Sequence, residues 1–246
     1  MSNYKEIKPN GFLSTFVKSF WFYQTTDSEV QHTILPDGYF DLIAEFENEI
    51  LTTVKLTGIW TKPKDIPIPK NTTFFAVRFK ILAIEYLFKS EIKSVLDSAE
   101  NLAFSFWNIE KYRSNDFETF AAGIAQQLHT QIQQLNEIDG RKIKLFDLVY
   151  QHKAKTVAEL ADQIFWSSRQ INRYFNSQFG IPLKEFLKIV RCNAAYGEIA
   201  LGSLQPQEDF FDQAHFIKEV KKYTGATPKE LHKNKNDRFL QLSTRE

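Results

Sequence analysis

The stretch TVAELADQIFWSSRQINRYFNSQFG, residues 156–180, has the pattern of two helices joined by a short turn. Thr156 and Glu159 form a capping box at the start of the first helix, and Ser167 or Ser168 caps the second helix after the turn FWSS. The inner face of the first helix carries Val157, Leu160, Ala161 and Ile164. The inner face of the second helix carries Ile171, Tyr174, Phe175 and Phe179. The stretch therefore predicts a helix-turn-helix unit.

The second helix, about residues 168–179, carries hydrogen-bonding side chains on its outer face. The candidate DNA-binding residues on it are Arg169, Gln170, Asn172, Arg173 and Asn176. Residues spaced by three and four share a helix face. Arginine pairs with guanine in the major groove of DNA, and asparagine or glutamine pairs with adenine. The pattern alone leaves a solvated surface helix open as the alternative.

Two longer segments carry a family resemblance. The segment LADQIFWSSRQINRYFNSQFGIPLKEFLKIVRCNAA is followed by FFDQAHFIKEVKKYTGATPKEL. In this order they resemble the DNA-binding domain of AraC/XylS-type transcription regulators. The resemblance implies an all-α domain over residues 141–246, with two helix-turn-helix units on one connecting helix at about 183–201. Such units read successive major grooves about 34 Å apart. The implied function is that of a sequence-specific DNA-binding transcription regulator.

The second unit departs from the family pattern. The chain between Arg191 and Phe210 is shorter than the family usually allows, and Pro206 suits only a helix start. We therefore expect a truncated second unit. The resemblance gives further candidate DNA-binding residues there: Gln213, His215, Lys218, Lys221 and Lys222. We expect the three lysines to contact phosphates, whereas base reading by this unit stays open.

The first 140 residues read as a β-rich domain with trailing helices. Strands are predicted in STFVKSFWFYQ, on both sides of the turn Pro36-Asp37-Gly38, and in TTFFAVRFK. The proline-rich TKPKDIPIPKN predicts a loop, and the chain after Glu85 reads as helical. Apolar residues at helical spacing predict an amphipathic helix over 116–135, which Ser114 or Asp116 caps. The fold class is α+β: a domain over 1–140, then the all-α domain over 141–246.

Charge supports this division. Residues 1–140 hold 13 Lys and Arg against 18 Asp and Glu, a net charge of −5, whereas residues 141–246 hold 18 against 12, a net charge of +6. An acidic first part and a basic second part suggest different partners. NEIDGRK, with Gly140 as a helix breaker, is the predicted linker. Its small apolar surface predicts domains that move relative to each other unless a large interface holds them.

The segments ILPDGYFDLIAEF and LTGIWTKP resemble the N-terminal domain of one group of these regulators, which implies small-molecule sensing or dimerisation. Seven aromatic residues line a pocket or form plain core: Phe20, Trp21, Phe22, Trp60, Phe74, Phe75 and Phe79. The 116–135 helix packs on its own sheet or pairs with a second copy. The expected partners are double-stranded DNA, a small-molecule effector and a second copy in a homodimer.

Several classes of function lack their sequence signals. The five histidines are scattered, so we expect no metal site and no cofactor. Glu45, Glu47 and Glu49 form an acidic site or a solvated strand edge. Nucleotide-binding and hydrolase motifs are missing, so we expect no catalytic residue and no enzyme. The chain shows no membrane span or signal peptide and has one cysteine, which predicts a cytoplasmic protein without membrane contact. Two alternatives stay open: a small-molecule-binding enzyme with a helical tail, and an interaction protein with a degenerate helix-turn-helix that binds no DNA.

Overall fold

A computed structural model describes residues 3–90, 92–154, 156–205 and 210–233. Its first part is built on antiparallel strands, and its second part is helical. The strands are β1 (Asn3–Ile7), β2 (Val17–Gln24), β3 (Val30–Ile34), β4 (Tyr39–Glu47), β5 (Ile50–Thr57), β6 (Lys64–Ile68), β7 (Thr72–Lys80) and β8 (Ala99–Leu102). The helices are α1 (Leu82–Tyr86), α2 (Phe117–Gln133), α3 (Gly140–Tyr150), α4 (Val157–Ile164), α5 (Ser168–Phe179), α6 (Leu183–Ala200), α7 (Gln213–Thr224) and α8 (Pro228–Lys233). The predicted α+β fold class is confirmed.

The six-stranded sheet has the order β1-β2-β7-β4-β5-β8, and β3 pairs with β6 in a separate two-stranded sheet. Alternation along each strand gives the large sheet two different faces. One face buries Phe40, Leu42 and Ala44 of β4 in the main core. The other face carries Trp21, Tyr23, Ile43, Phe74 and Ala76, which cluster with Ile68 of the small sheet. The sheet therefore separates the helical side of the molecule from the small sheet.

Helix α2 covers the main-core face of the sheet. Its side chains Phe117, Phe120, Ala121, Ile124 and Leu128 are all buried, and Asp116 caps the helix through the backbone nitrogen of Thr119. The ring of Phe75 on β7 lies 5.6 Å from that of Phe117 and 5.3 Å from that of Phe120. Of the two readings of this helix, packing on its own sheet is the one observed, and its apolar face is unavailable to a second copy.

Two expectations about local structure are wrong. The predicted loop TKPKDIPIPKN contains β6, in which Pro67 pairs with Gln31 of β3. A two-stranded sheet has only edge strands, so a proline nitrogen can face away from the partner. The chain after Glu85 is not uniformly helical, because it contains β8 and short 3-10 turns at Ile92–Val95 and Phe106–Lys111.

Gly140 is not a breaker, because it is the first residue of α3. Asp139 caps this helix by accepting a hydrogen bond from the nitrogen of Arg141 at 2.9 Å. A glycine at the start of a helix costs less than one in its interior, since the cap satisfies the exposed amides.

The acidic site predicted from alternation also fails. Glu49 lies in the tight β4–β5 turn with φ +71°, outside β4, while Glu45 pairs with Lys55 at 2.7 Å. The alternative of a solvated edge is wrong too, because β4 lies between β7 and β5 in the sheet.

The two parts of the chain share an extensive interface. Buried side chains of the sheet, α2, α3, α5 and α6 belong to one connected apolar cluster. The Tyr39 and Tyr150 rings stack at 5.1 Å. Glu85 on α1 accepts hydrogen bonds from Lys142 on α3 and, at 2.7 Å, from the Tyr174 hydroxyl on α5. The linker sequence predicted that the two parts move relative to each other unless a large interface holds them, and these contacts form such an interface.

None of the helices within the described ranges has the length and hydropathy that a bilayer-spanning segment needs.

Candidate functional site

Helices α4 and α5 form the predicted helix-turn-helix unit, with side chains capping both starts. The Thr156 hydroxyl accepts a hydrogen bond from the nitrogen of Glu159 at 3.2 Å. Ser167 and Gln170 form a reciprocal capping box, in which the Gln170 amide oxygen accepts from the Ser167 nitrogen at 2.8 Å. The turn between the helices contains Phe165 in the left-handed region, with φ +58°. Local sequence thus fixes where each helix begins.

The inner face of α5 is anchored in the core. Ile171, Phe175 and Phe179 are buried, as predicted. The Phe146 ring on α3 lies 5.6 Å from that of Phe175 and 5.7 Å from that of Phe179. This packing sets the rotation of α5 and so decides which side chains point outward.

The outer face of α5 holds the predicted candidates in two different states. Arg169, Arg173 and Asn176 are exposed. Gln170 is committed to the capping box, and half-buried Asn172 donates a hydrogen bond to the Ser168 carbonyl oxygen at 2.9 Å. The long arginine side chains can therefore reach a ligand without breaking a helix contact, whereas Gln170 and Asn172 must first release one.

A surface depression of about 280 Å³ lies along α5. Its lining residues are Arg141, Trp166, Gln170, Arg173, Tyr174 and Ser177. The Arg141 guanidinium lies 5.2 Å from the Trp166 ring centre and pairs with Asp139 at 2.8 Å. Sequence reasoning missed Arg141 because it placed this residue in a linker, although the excess of basic charge after residue 140 was a signal.

The back of α5 is held by the sheet-bearing part of the chain. The Gln178 side-chain amide donates a hydrogen bond to the Ser90 carbonyl oxygen at 2.8 Å. Burial, followed by the neighbouring Glu85 carboxylate, raises the pKa of Tyr174 well above its ordinary value. Tyr174 therefore stays a neutral donor to Glu85 at physiological pH.

The second unit is truncated, as predicted. Helix α6 ends at Ala200 and α7 begins at Gln213, and the intervening residues that are described, 201–205 and 210–212, contain no helix. Pro206 lies outside the described residues. Asp212 caps α7 by accepting from the nitrogen of His215 at 2.7 Å. The unit therefore keeps its second helix while lacking room for a regular first one.

Two candidates of the second unit brace the loop before α7. The Gln213 side-chain amide donates to the Leu204 carbonyl oxygen at 2.9 Å, and the Nδ1 atom of His215 accepts from the nitrogen of Phe211 at 3.4 Å. The His215 ring also lies 6.0 Å from that of Phe210. Both side chains make contacts that compensate for the shortened loop.

The three lysines of α7 are not equivalent. All three are exposed, but Lys222 also pairs with Glu185 of α6 at 2.6 Å. Burial by itself raises the pKa of Glu185, but hydrogen bonds from Lys222 and Tyr223 outweigh it and lower that pKa. Lys222 thus fastens α7 to α6, while Lys218 and Lys221 present charge to solvent.

A separate cavity of about 490 Å³ lies between the two sheets. Of the seven predicted aromatic residues, Trp21, Trp60 and Phe74 line it, together with Tyr23. Phe20, Phe22, Phe75 and Phe79 belong to the main core instead. The sequence could not separate these groups, because both faces of the sheet are buried. We call this space the sheet cavity.

The lining of the sheet cavity also carries charged side chains, of which the sequence pattern had pointed only to Glu45. Its charged lining residues are Asp41, Glu45, Lys55, Lys64, Arg78 and Asp97. Asp41 accepts hydrogen bonds from Trp21 at 2.9 Å and from the Nε atom of Arg78 at 3.2 Å. Burial by itself lowers the pKa of Arg78, but the carboxylates of Asp41 and Asp37 outweigh it and raise that pKa. The sheet cavity therefore combines aromatic walls with a permanently charged guanidinium.

The two parts of the chain match two protein families. Residues 160–234 match a family described as a helix-turn-helix domain, and residues 5–101 match a family described as a domain of unknown function. The first match begins within α4 and ends just after α8, so it covers both units. Residues 160–234 are an AraC-type helix-turn-helix domain. The AraC-type domain binds DNA, and the chain that contains it is a DNA-binding transcription regulator.

Solved structures that are similar to this chain over most of its length include those of ToxT from Vibrio cholerae. Wild-type ToxT with a bound unsaturated fatty acid has a TM-score of 0.41 at 8% identity, covering 94% of this chain and 94% of that one. ToxT bound to (E)-4-(8-methylnaphthalen-1-yl)but-3-enoic acid has a TM-score of 0.41 at 11% identity, covering 94% and 97%. No curated protein sequence matches the chain.

Proposed function

We propose that the chain reads DNA sequence mainly through α5, with Arg169 and Arg173 as base-reading residues and Asn172 and Asn176 beside them. The observation that carries this proposal is the two-sided character of α5: one face is locked into the core, while the other presents arginine side chains to solvent. Arginine recognises guanine through paired hydrogen bonds in the major groove, a geometry that a solvated lysine face does not provide.

The truncated second unit has a different role in this proposal. Lys218 and Lys221 contact the DNA backbone, which adds affinity without sequence information. Gln213, His215 and Lys222 act indirectly, because each is engaged in contacts that hold α7 in place. The chain thus reads one principal half-site per copy. A homodimer belongs to the same proposal, since two copies double the half-sites read on one operator, and sedimentation at micromolar concentration tests it.

A small-molecule effector bound in the sheet cavity is the second part of the proposal. A cavity of about 490 Å³ is within the usual range for ligand sites of roughly 300–1,000 Å³. Aromatic walls and one buried guanidinium suit an apolar ligand that carries a polar group. A cytoplasmic location belongs to the same proposal, since the protein must reach genomic DNA.

We further propose that the chain is not an enzyme. Its one thiol, Cys192, is buried, and burial raises the pKa of this thiol to about 12, so that it stays protonated at neutral pH. A protonated thiol is a poor nucleophile.

Selection of binding sites from random duplex DNA with the purified full chain tests the main proposal. We expect one enriched motif, with at least one strongly preferred guanine. Arg113, an exposed arginine before α2, provides the control variant Arg113→Ala, which must select the same motif. Enrichment of no motif, with equal retention of all duplexes, would show that α5 does not read sequence and would leave the proposal without support.

A further inference from the structure

Arg78 in the wall of the sheet cavity is shared between two carboxylates. Its Nε atom lies 3.2 Å from Asp41, which also lines the sheet cavity. Its Nη1 atom lies 3.7 Å from Asp37, which belongs to the turn Pro36–Gly38. A distance of 3.7 Å is too long for a direct hydrogen bond, so the attraction to Asp37 is electrostatic. Arg78 therefore connects the cavity wall to this turn.

The same turn is held from the other side by the helical part of the chain. The Tyr196 hydroxyl on α6 donates a hydrogen bond to the Pro36 carbonyl oxygen at 3.1 Å. The Tyr150 hydroxyl on α3 donates to the Gly38 carbonyl oxygen at 2.8 Å. A Cβ atom on Gly38 would lie 2.8 Å from a methyl group of Val190. The turn thus sits between the cavity wall and the helix that connects the two helix-turn-helix units.

The charge pattern of the sheet cavity indicates which part of a ligand Arg78 would bind. Of the three lining cations, Lys55 is paired with Glu45 at 2.7 Å and Lys64 is exposed. Arg78 is mostly buried, and its planar guanidinium has five N–H donors. The Nε donor is hydrogen-bonded to the Asp41 carboxylate. A ligand acceptor group within reach of the remaining donors competes with the distant Asp37 carboxylate more easily than with Asp41. The aromatic walls favour a flat apolar body for the rest of the ligand.

We propose that a flat aromatic ligand with an anionic acceptor group binds Arg78 in the sheet cavity, and that this loosens Asp37 and the Pro36–Gly38 turn from Arg78. The turn then shifts against Tyr150 and Tyr196, so that ligand binding changes the DNA affinity of the AraC-type domain. This inference rests on the proposed function of the sheet cavity. It adds the ligand chemistry, the anchoring residue and the route between the two sites.

Two dyes that differ in one group test the ligand chemistry. They are 1-anilinonaphthalene-8-sulfonate, which carries an anionic acceptor, and its neutral counterpart N-phenyl-1-naphthylamine. We expect the sulfonate to bind at least tenfold more tightly. Arg78→Lys keeps the charge but loses the planar guanidinium. It should weaken binding of the sulfonate dye at least fivefold and leave the affinity for the neutral dye unchanged. Equal affinity of the two dyes, or an Arg78→Lys effect on both, would refute the anchoring role.

A cavity-blocking variant shows where the dyes bind. Ala99 lines the sheet cavity and is exposed on β8, so Ala99→Trp fills space without displacing buried atoms. We expect it to weaken both dyes at least tenfold. Unchanged binding in Ala99→Trp would place the dyes elsewhere and would reject the sheet cavity as the ligand site.

The route is tested with the duplex obtained from site selection. The Kd for this duplex is measured with and without saturating sulfonate dye, and we expect a change of at least fivefold, within the usual range of allosteric coupling. Tyr150→Phe combined with Tyr196→Phe removes both hydroxyl contacts to the turn without touching the sheet cavity. This variant should keep its dye affinity and lose most of the coupling. Tyr196→Phe alone, with a smaller loss, is the milder variant if the double variant unfolds.

The outcomes separate this inference from the proposed function. Absence of DNA binding in the dye-free protein would contradict the proposed function. Normal DNA binding and dye binding without coupling, or equal coupling in wild type and in the tyrosine variants, would overturn the route through the turn.

Discussion

Gly38 shows how one residue permits the contact between the turn and α6. Its φ of +80° lies in the left-handed region, which glycine adopts without cost. It also lies so close to Val190 and Phe186 that a Cβ atom would not fit. Two independent requirements, one of the backbone and one of packing, therefore fall on the same position.

Gly38→Ala should destabilise the protein by both effects. The left-handed backbone costs about 1–2 kcal/mol, and overpacking costs a further 1–3 kcal/mol or so. Gly11 is the matched control in which only the backbone effect operates, because its φ is +59° and no atom of the described residues lies within 4 Å of an added Cβ. Thermal unfolding should show a larger loss for Gly38→Ala, which Val190→Ala partly restores. Equal losses at both glycines would exclude the steric contact with α6.

The proposed role of Arg173 also depends on one residue, because its side chain would form the hydrogen bonds to a base. Arg173→Ala should cost about 1–3 kcal/mol of binding free energy and relax the preference at one base position of the selected motif. Competition binding with single-base variants of the duplex measures both quantities. A uniform loss across all sequences would instead make Arg173 a phosphate contact.

At the scale of elements, the turn before α5 contains local strain. Phe165 is bulky, has φ +58° and is 88% exposed, so it gains little from burial in return for its conformation. Phe165→Gly should stabilise the protein by up to about 1 kcal/mol, because glycine relieves the left-handed strain at a helix end. Leu201 is the control: it is 79% exposed at the end of α6 but has an ordinary right-handed conformation. If Leu201→Gly raised the melting temperature equally, strain at Phe165 would not be the cause.

Phosphate contacts made by α7 should appear in the salt dependence of DNA affinity. Each lysine that neutralises a phosphate contributes about 0.9 to the slope of log K against log salt concentration. Lys218→Ala and Lys221→Ala should each reduce the slope by about this amount. Lys222→Ala should change it less, because the Lys222 charge is already paired with Glu185. Filter binding over a salt series gives the three slopes, and equal reductions would mean that Lys222 leaves Glu185 for DNA.

At the scale of the whole molecule, the helical part of the chain shares its core with the sheet. Removing residues 1–140 takes away packing partners of Tyr150, Phe186 and Val190 and exposes these side chains to solvent. Exposing a buried apolar side chain costs about 1.5–3 kcal/mol, so several such losses approach the total stability of an ordinary domain, about 5–15 kcal/mol. We expect the 141–246 fragment to melt well below the full chain in circular dichroism. Cooperative melting at the temperature of the full chain would show that the shared core adds little.

The sequence by itself determined the features that depend on neighbours along the chain. The caps at Thr156 and Ser167, the buried Ile171, Phe175 and Phe179, and the outward arginines of α5 follow from spacings of three and four residues. The truncation of the second unit follows from chain length alone. Such features are local, so no knowledge of distant residues is needed to predict them.

Only the tertiary structure decided the features that join distant residues. Strand β6 exists because residues 64–68 pair with 30–34, a partnership that outweighs its prolines. Folding places Arg78 beside Asp37 and Asp41 in the wall of the sheet cavity. Hydrogen bonds from Tyr150, Tyr174 and Tyr196 join the two parts of the chain, which the charged linker did not indicate. The physical reason is the same in each case: these interactions join residues 30 or more positions apart, and hydrophobic periodicity carries no information about such partners.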